Sequence, residues 1–443
     1  MLDHGLGLLA LARNIGATFL RQIAAALLGL ITMALIARVY GPEGTGVYAV
    51  AMLLPSLLTT FLNLGVAPAN VYHLGSGQAP AEALLRANVK IAGWVTGIGL
   101  GAGAVGIYLF PDLLFPGVAP AVLWLALVAF PLGVLNRYLL SFFQGLQQFG
   151  PFNLILIAQP MVLLVLVVAL TVAGSREFAH LVGAHIIAQM LVARFAWSRL
   201  RPLLRLETSS PSIPGLIRNT LSYGTKAHLS NVLAFINYRA DVFIANLFLG
   251  PAVVGLYVVA VAIAEKLWMI SQAVSTVALP RLSELTSDET KRKQLTPLVT
   301  RWVLLITLLA ALLVALTGSP VIRLVFGPAF GNAFVPLLVL LPGIVAGSAS
   351  RVLANDIAAR GRPELNLYTS LVVVTVNVVG NLALIPPFGL VGAAAATTIA
   401  YVLNLVFRLV VYRALTGNVW SHVLFIQTAD FEMLWSSMVR RCR

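Results

Sequence analysis

Long apolar runs separated by short polar breaks recur along almost the whole chain, and each run is long enough for a membrane-spanning helix. About 20 helical residues, rising 1.5 Å each, cross roughly 30 Å of hydrocarbon. The pattern predicts twelve such helices, at 15–37, 46–72, 88–110, 118–143, 152–173, 178–198, 220–248, 252–279, 299–317, 333–358, 365–385 and 390–413. The breaks fall on Gly41-Pro42, Pro116-Gly117, Gly150-Pro151, Gly250-Pro251, Gly327-Pro328, Pro386-Pro387 and Gly389, residue pairs that end helices and shape turns. Pro55, Pro68, Pro131, Pro160 and Pro342 fall inside spans, where a neighbouring helix or water must satisfy the freed carbonyl.

One break occurs twice. Residues 40–51 read YGPEGTGVYAVA and residues 249–260 read LGPAVVGLYVVA. They agree at Gly41/Gly250, Pro42/Pro251, Gly46/Gly255, Tyr48/Tyr257, Val50/Val259 and Ala51/Ala260. A corner repeated half a chain later between apolar runs implies two equivalent halves. With six helices each, both halves enter the membrane from the same side, so the repeats are parallel and related by an axis along the membrane normal. The polar connection at 199–218 separates an expected lobe 1–206 from a second lobe 207–415, followed by a tail 416–443. In that tail Phe431, Leu434, Trp435 and Met438 share one helical face ahead of Arg440, Arg441 and Arg443, which reads either as a cytoplasmic helix lying on the membrane surface or as a frayed end. The expected fold class is an all-α membrane protein of about twelve transmembrane helices in two parallel six-helix repeats. Two such lobes enclose a cleft at the midplane, as alternating-access transporters do.

Composition agrees: the 443 residues are 59% hydrophobic and 10% charged, against about 25% charged in soluble domains. The first apolar stretch, Leu6–Ala12, is short and interrupted by Gly7, so no cleavable signal peptide is expected. Cys442 stands alone, which leaves no intrachain disulfide and no cysteine metal site. The net charge of +14 is spread over loops rather than gathered on a soluble module, so nucleic acid is not an expected partner. Of the 29 Lys and Arg, 23 fall on one side of the predicted helices, Arg137 and Arg292 among them, and only Arg38, Arg176 and Arg323 on the other. The positive-inside rule then puts both termini in the cytoplasm.

Charges inside spans are costly, about 2.5–3.5 kcal/mol at the bilayer centre even on lenient scales, so each needs a partner or a cavity. The seventh helix carries Arg239 and Asp241 near its middle, with Lys226, His228, Asn231 and Asn237 nearer the basic side; the eighth carries Glu265 and Lys266. Arg239 lies roughly 16 Å and Glu265 roughly 20 Å from the Gly250-Pro251 turn, within reach of each other. They are expected either to pair as scaffolding or to line the cleft, with Asp241 or Lys266 facing it. Arg21 either snorkels to the surface or points into the cleft, where its planar fork suits a phosphate. Asn136, Arg137 and Gln144, His185 and Gln189, Asn355 and Asp356, and Asn377 and Asn381 read mainly as interhelical hydrogen bonds, with Asp356 paired to Arg360 one turn on. A Gly-rich loop ending in Gly-Lys-Ser/Thr is missing, as are a metal-spaced His/Cys cluster and paired loop carboxylates, so no ATP engine, metal, cofactor or catalytic centre is expected.

Several segments resemble a known family. Residues 237–284 (NYRADVFIANLFLGPAVVGLYVVAVAIAEKLWMISQAVSTVALPRLSE) are similar to the second half of bacterial polysaccharide-export flippases. Ala37-Arg38 with Gly41–Tyr48 and Leu64-Gly65 resemble the first half, and Phe326–Phe330 and Gly361-Arg362-Pro363 resemble later turns. Those proteins belong to the multidrug/oligosaccharidyl-lipid/polysaccharide (MOP) flippase superfamily. The resemblance implies two six-helix bundles in a V, as in the superfamily's multidrug (MATE) transporters. It implies a cationic cavity for a polyprenyl-pyrophosphate-linked glycan, for which Arg21, Arg239 and Lys266 are the candidate substrate-binding residues. Asp241 and Glu265 are the candidates for coupling or for an ion pair. Twelve rather than fourteen helices points to the O-antigen (lipopolysaccharide) or exopolysaccharide branch, in the bacterial inner membrane, with a polysaccharide polymerase and chain-length regulator as expected partners. Two other readings compete: a cation-coupled multidrug antiporter, which would favour acidic cavity residues, and a membrane glycan polymerase or ligase, which would need a large external loop.

Overall fold

The computed structural model describes residues 2–204, 213–284, 289–427 and 430, with side chains from Leu20 on apart from 226–227, 276–281 and 283–284. Among them every regular element is helical: α1 (Leu2–Leu62), α2 (Val66–Gly75), α3 (Ala81–Leu109), α4 (Pro111–Leu114), α5 (Pro120–Leu127), α6 (Ala129–Gly145), α7 (Phe149–Val172) and α8 (Phe178–Leu200), then α9 (Leu216–Leu249), α10 (Pro251–Lys266), α11 (Trp268–Glu284), α12 (Glu289–Phe326), α13 (Phe334–Ala359), α14 (Pro363–Thr416) and α15 (Trp420–Leu424). Ten stretches are long and apolar enough to cross a membrane. Two of them, within α1 and α14, are each broken at a glycine, Gly41 and Gly389, so the described residues supply twelve rods, as the periodicity predicts.

The repeated corner has one backbone in both copies. Gly41 adopts φ 67°, ψ −172° and Gly250 φ 76°, ψ 171°, a region open essentially to glycine alone. Pro42 and Pro251 then start the next helix, where a missing N–H costs nothing. The two copies also touch. A methyl group added to Gly46 would lie 1.7 Å from the Pro251 carbonyl oxygen, and one added to Gly255 would lie 2.0 Å from that of Pro42. Only glycine lets two helix backbones approach so closely. A second contact of this kind joins Gly65, after α1, to Gly224 on α9: a methyl on Gly65 would lie 2.0 Å from the Gly224 oxygen. Nearby, His228 Nε2 donates to the Phe61 carbonyl at 2.9 Å.

Some spans differ in detail from the periodicity. The predicted helix 46–72 is interrupted at Leu64 and Gly65, both at positive φ, and 252–279 is divided between α10 and α11. The predicted 299–317 begins ten residues earlier, at Glu289, because Lys291, Arg292, Lys293 and Gln294 are strong helix formers.

By packing, the chain divides into two units, Met1–Val259 with Val325–Phe330, and Ala260–Leu324 with Gly331–Arg443. The first unit is held by three apolar clusters. Leu84, Phe142, Phe143, Val192 and Leu216 join α3, α6, α8 and α9; Val66, Ile91, Val95, Phe130 and Val134 join α2, α3 and α6; Ile36, Tyr40, Val167 and Leu181 join α1, α7 and α8. In the second unit Trp268 donates from Nε1 to the Ile344 carbonyl at 3.2 Å and carries the Arg351 guanidinium 5.6 Å from its ring centre. Asp356, expected to pair with Arg360, does so at 2.6 Å and also receives Arg292 at 2.9 Å.

The chain folds back under the second unit after α14. Val423 of α15 is fully buried against Leu353, Leu409 and Tyr412. Arg301 donates to the His422 carbonyl and forms an ion pair with Asp430. The amphipathic face expected at 431–438 lies outside the described residues. Burial pushes the Asp430 pKa up, but hydrogen bonds from Arg301 and the Gln427 amide, with the Arg301 charge, hold it below the ordinary 3.8. A depressed carboxylate pKa stabilises the docked segment at every pH above the ordinary value, and that contribution is lost as pH falls through the depressed one. Hydrogen exchange at residues 420–425 should therefore stay constant from neutral pH down to about 4 once corrected for intrinsic rates, then accelerate in stronger acid. Asp430→Asn should show the faster exchange already at neutral pH.

Candidate functional site

Within the first unit, five helices surround a cavity of about 520 Å³ with polar side chains set in an apolar wall. α1 supplies Ser56, Thr59 and Thr60, with Pro55 on the same wall. α6 supplies Asn136 and Arg137, α7 supplies Gln159, α8 supplies His185 and Gln189, and α9 supplies Tyr238 and Arg239. Pro55 removes an intrahelical donor from α1. Gly133 keeps the α6 wall close to α1, its added methyl falling 3.1 Å from Thr59 Oγ1.

The wall is partly fixed by its own hydrogen bonds. His185 Nδ1 lies 2.8 Å from the Tyr48 hydroxyl and its Nε2 lies 3.0 Å from Gln189 Nε2. Asn136 Nδ2 donates to the Gln189 carbonyl at 3.1 Å, and Arg239 Nη1 donates to the Tyr238 carbonyl at 3.1 Å. Asn136 Oδ1 and Gln189 Oε1 are buried without a protein hydrogen bond. Two guanidiniums, amide groups and threonine hydroxyls around one cavity, with no carboxylate among the described lining residues, suit an anion bearing hydroxyl groups: arginine holds phosphate oxygens in bidentate fashion, and amides and hydroxyls bond sugar hydroxyls.

The candidate residues separate on this geometry. Arg239 lines the cavity. Asp241, two residues on, is buried on another face, where it accepts from the Tyr257 hydroxyl at 2.7 Å and from the Val242 amide at 2.8 Å. Arg21 is half-buried on α1 and lies outside the cavity lining. Glu265 and Lys266 end α10 in the second unit, both half-buried. Arg137 corrects the sequence reading. Grouped there with residues of the basic side, it lies about 12 Å inside the end of α6 and lines the cavity with Arg239. The signal was its neighbour Asn136 and its place within the apolar run 118–143. The repeated tyrosines also acquire a use invisible in the repeat itself: Tyr48 holds His185 and Tyr257 holds Asp241.

The chain is similar to several known proteins. The polysaccharide biosynthesis protein family matches residues 11–286. The probable low-salt glycan biosynthesis flippase Agl15 of Haloferax volcanii is 25% identical over 223 residues, 49% of this chain and 46% of the relative. The capsular polysaccharide biosynthesis protein CapF of Staphylococcus aureus is 27% identical over 141 residues, 31% of this chain and 35% of the relative. Each match spans less than half of the curated relative's own length. Among solved structures, the lipid II flippase MurJ in an inward closed conformation superposes with a TM-score of 0.72 at 15% identity, covering 88% of this chain and 87% of that one. An inward-facing multidrug resistance MATE transporter superposes with a TM-score of 0.71 at 14% identity, covering 89% and 94%. At such identities the superpositions establish the fold: an all-α membrane protein of two helical repeats. The chain is a member of the polysaccharide biosynthesis protein family.

Proposed function

We propose that this protein flips an undecaprenyl-pyrophosphate-linked oligosaccharide across the bacterial inner membrane by alternating access, for cell-surface polysaccharide synthesis. The observation that carries the reading is the cavity lined by Arg137 and Arg239 among amides and hydroxyls. A pyrophosphate is a dense anion that must leave water to cross, and arginine stays charged when desolvated. The first glycan units take the hydroxyl and amide positions, and the polyprenyl tail remains in the bilayer. The chain works as a transporter rather than an enzyme, with both termini in the cytoplasm and with lobes 1–206 and 207–415 as its moving parts. Arg21 and Lys266 are further candidates for the headgroup path, and Asp241 and Glu265 for coupling. A polymerase and a chain-length regulator would consume the product. The likeness to a MATE transporter keeps a cation-coupled drug antiporter as the second reading, which a cavity wall of two arginines disfavours.

The test is reconstitution. Proteoliposomes carrying a fluorescent undecaprenyl-pyrophosphate oligosaccharide should show protein-dependent loss of dithionite protection, while a fluorescent phosphatidylcholine should not. Arg137→Gln and Arg239→Gln should each slow flipping by about tenfold or more, the worth of a charge-assisted hydrogen bond of about 1.5–3 kcal/mol. Arg239→Lys should recover only part, because a point charge replaces the fork. Unaltered flipping in both glutamine variants, or transport of organic cations in exchange for protons or sodium, would show this reading to be wrong.

A further inference from the structure

A second cavity, of about 930 Å³, lies between α3 and the start of α9. Arg86, Lys90 and Trp94 line it from α3 and Arg218 from α9, over an apolar floor that includes Ala87 and Leu221. Arg86, Lys90 and Trp94 follow one another at four-residue spacing and so form a single stripe along the helix. Above Lys90 the chain carries no charged residue from Ile91 to Phe110, so Lys90 marks the edge of the hydrocarbon. Trp94 is 59% exposed, at the level where membrane proteins place an aromatic belt.

The same stripe continues upward through Gly93, Gly97 and Gly101, and at each an added methyl would meet nothing within 4 Å. On the opposite face of α3, Gly99 and Gly103 are required by packing, since a methyl would fall 2.2 Å from the Phe130 ring and 2.5 Å from Leu127. Packing gives no reason for the outer three. From Lys90 to Gly101 the rise is about 16 Å, close to half of the roughly 30 Å hydrocarbon thickness. Above the cationic cavity at the membrane edge, this exposed glycine face of α3 thus extends for about the depth of one leaflet.

We infer that the Arg86–Lys90–Arg218 cavity binds the phosphate headgroup of a resident anionic phospholipid, one acyl chain of which lies along the Gly93–Gly97–Gly101 face of α3. Lys90 and Arg218, with Arg86 beside them, complement a phosphodiester, each near-surface Lys or Arg strengthening attraction to anionic lipid. The length of that glycine face fits an acyl chain of one leaflet better than a long polyprenyl tail. This site is separate from the Arg137–Arg239 cavity, and its binding readout stands apart from any transport assay.

Trp94 provides the probe. The protein would be placed in nanodiscs containing either brominated phosphatidylglycerol or brominated phosphatidylcholine at equal mole fraction, with Trp94→Phe used to isolate the Trp94 emission. Brominated phosphatidylglycerol should quench that emission at least about threefold more strongly. The combined change Arg86→Gln, Lys90→Gln and Arg218→Gln should bring the ratio to one. Gly97→Leu, which covers the glycine face without touching the cations, should lower quenching from chains brominated at mid-depth. Equal quenching in the unaltered protein, or a preference that survives the triple change, overturns the inference. Restoration of emission by stoichiometric undecaprenyl pyrophosphate would assign the site to the transported lipid and overturn it too. So would a disulfide-linked dimer formed in native membranes by Gly97→Cys in a Cys442→Ser background, which would mean that a second copy covers this face.

Discussion

Gly46→Ala is expected to force the two glycine–proline corners apart and to reduce the yield of folded protein by more than tenfold. The added methyl would sit 1.7 Å from the Pro251 carbonyl oxygen, where even a close C–H···O contact needs about 3.3 Å. Both sides of the clash are backbone, so no rotamer change relieves it and a whole helix must move. Overpacking a side-chain core costs about 1–3 kcal/mol and occasionally more; a backbone clash on this scale belongs at or above the top of that range. Gly255→Ala should behave alike, because its methyl would lie 2.0 Å from the Pro42 oxygen. Gly29→Ala is the control, since it lies in the rod of α1 that precedes the Gly41 break and its methyl would meet nothing within 4 Å. It should be neutral or slightly stabilising by helix propensity. Thermal unfolding in detergent, with yield after size exclusion, measures the difference. A Gly46→Ala protein as stable as Gly29→Ala would mean that the corners do not bear on each other.

That contact also marks the limit of what the sequence could tell. The recurrence of Gly41/Gly250, Pro42/Pro251, Gly46/Gly255 and Tyr48/Tyr257 was plain from residues alone, and so was the count of twelve rods, because hydrophobic run length and breaker residues are local properties. That the two copies lie face to face is not local: a repeat says that two segments are alike, not that they touch. The same reason separates the site residues. Arg239 stood out as a charge in mid-span. Arg137 was counted with the cations of the basic side and read with Asn136 as an interhelical hydrogen-bonder, and only the packing of α6 among its neighbours shows it lining the cavity. Asp241 and Arg239 are two residues apart, a spacing that already places them on different helix faces, and the structure gives the carboxylate to Tyr257 rather than to the cavity. Arg292 was legible only as one of several loop cations, because the helix that carries it starts ten residues before its apolar run.

Arg292 leads to the other large expected effect, Asp356→Ala. Asp356 is fully buried and takes donors on every side. Arg292 Nε reaches Oδ1 at 2.9 Å, Thr296 Oγ1 donates to Oδ1 at 3.0 Å, and Arg360 Nε reaches Oδ2 at 2.6 Å. Arg292 is itself 2% exposed and gives a second bond, from Nη2, to the Asp356 carbonyl at 2.9 Å. Deleting the carboxylate would leave that guanidinium out of water with only a carbonyl to answer its charge, a change that costs about 3–5 kcal/mol for a buried pair. Arg360 should suffer less, because it also holds Glu289 at 2.7 Å nearer to solvent. Glu289→Ala, at a carboxylate 45% exposed, should therefore cost only about 0–1 kcal/mol. The sequence reading, a local Asp356–Arg360 pair, makes the opposite forecast: an exposed i, i+4 pair is worth about 0.3–0.5 kcal/mol, and Arg292→Ala would then be silent. Chemical unfolding of the three single variants and of the Arg292→Ala/Asp356→Ala double variant separates the two accounts. A coupling between Arg292 and Asp356 well above 1 kcal/mol in the double-mutant cycle, with Asp356→Ala the worst single change, is the result that the buried network requires.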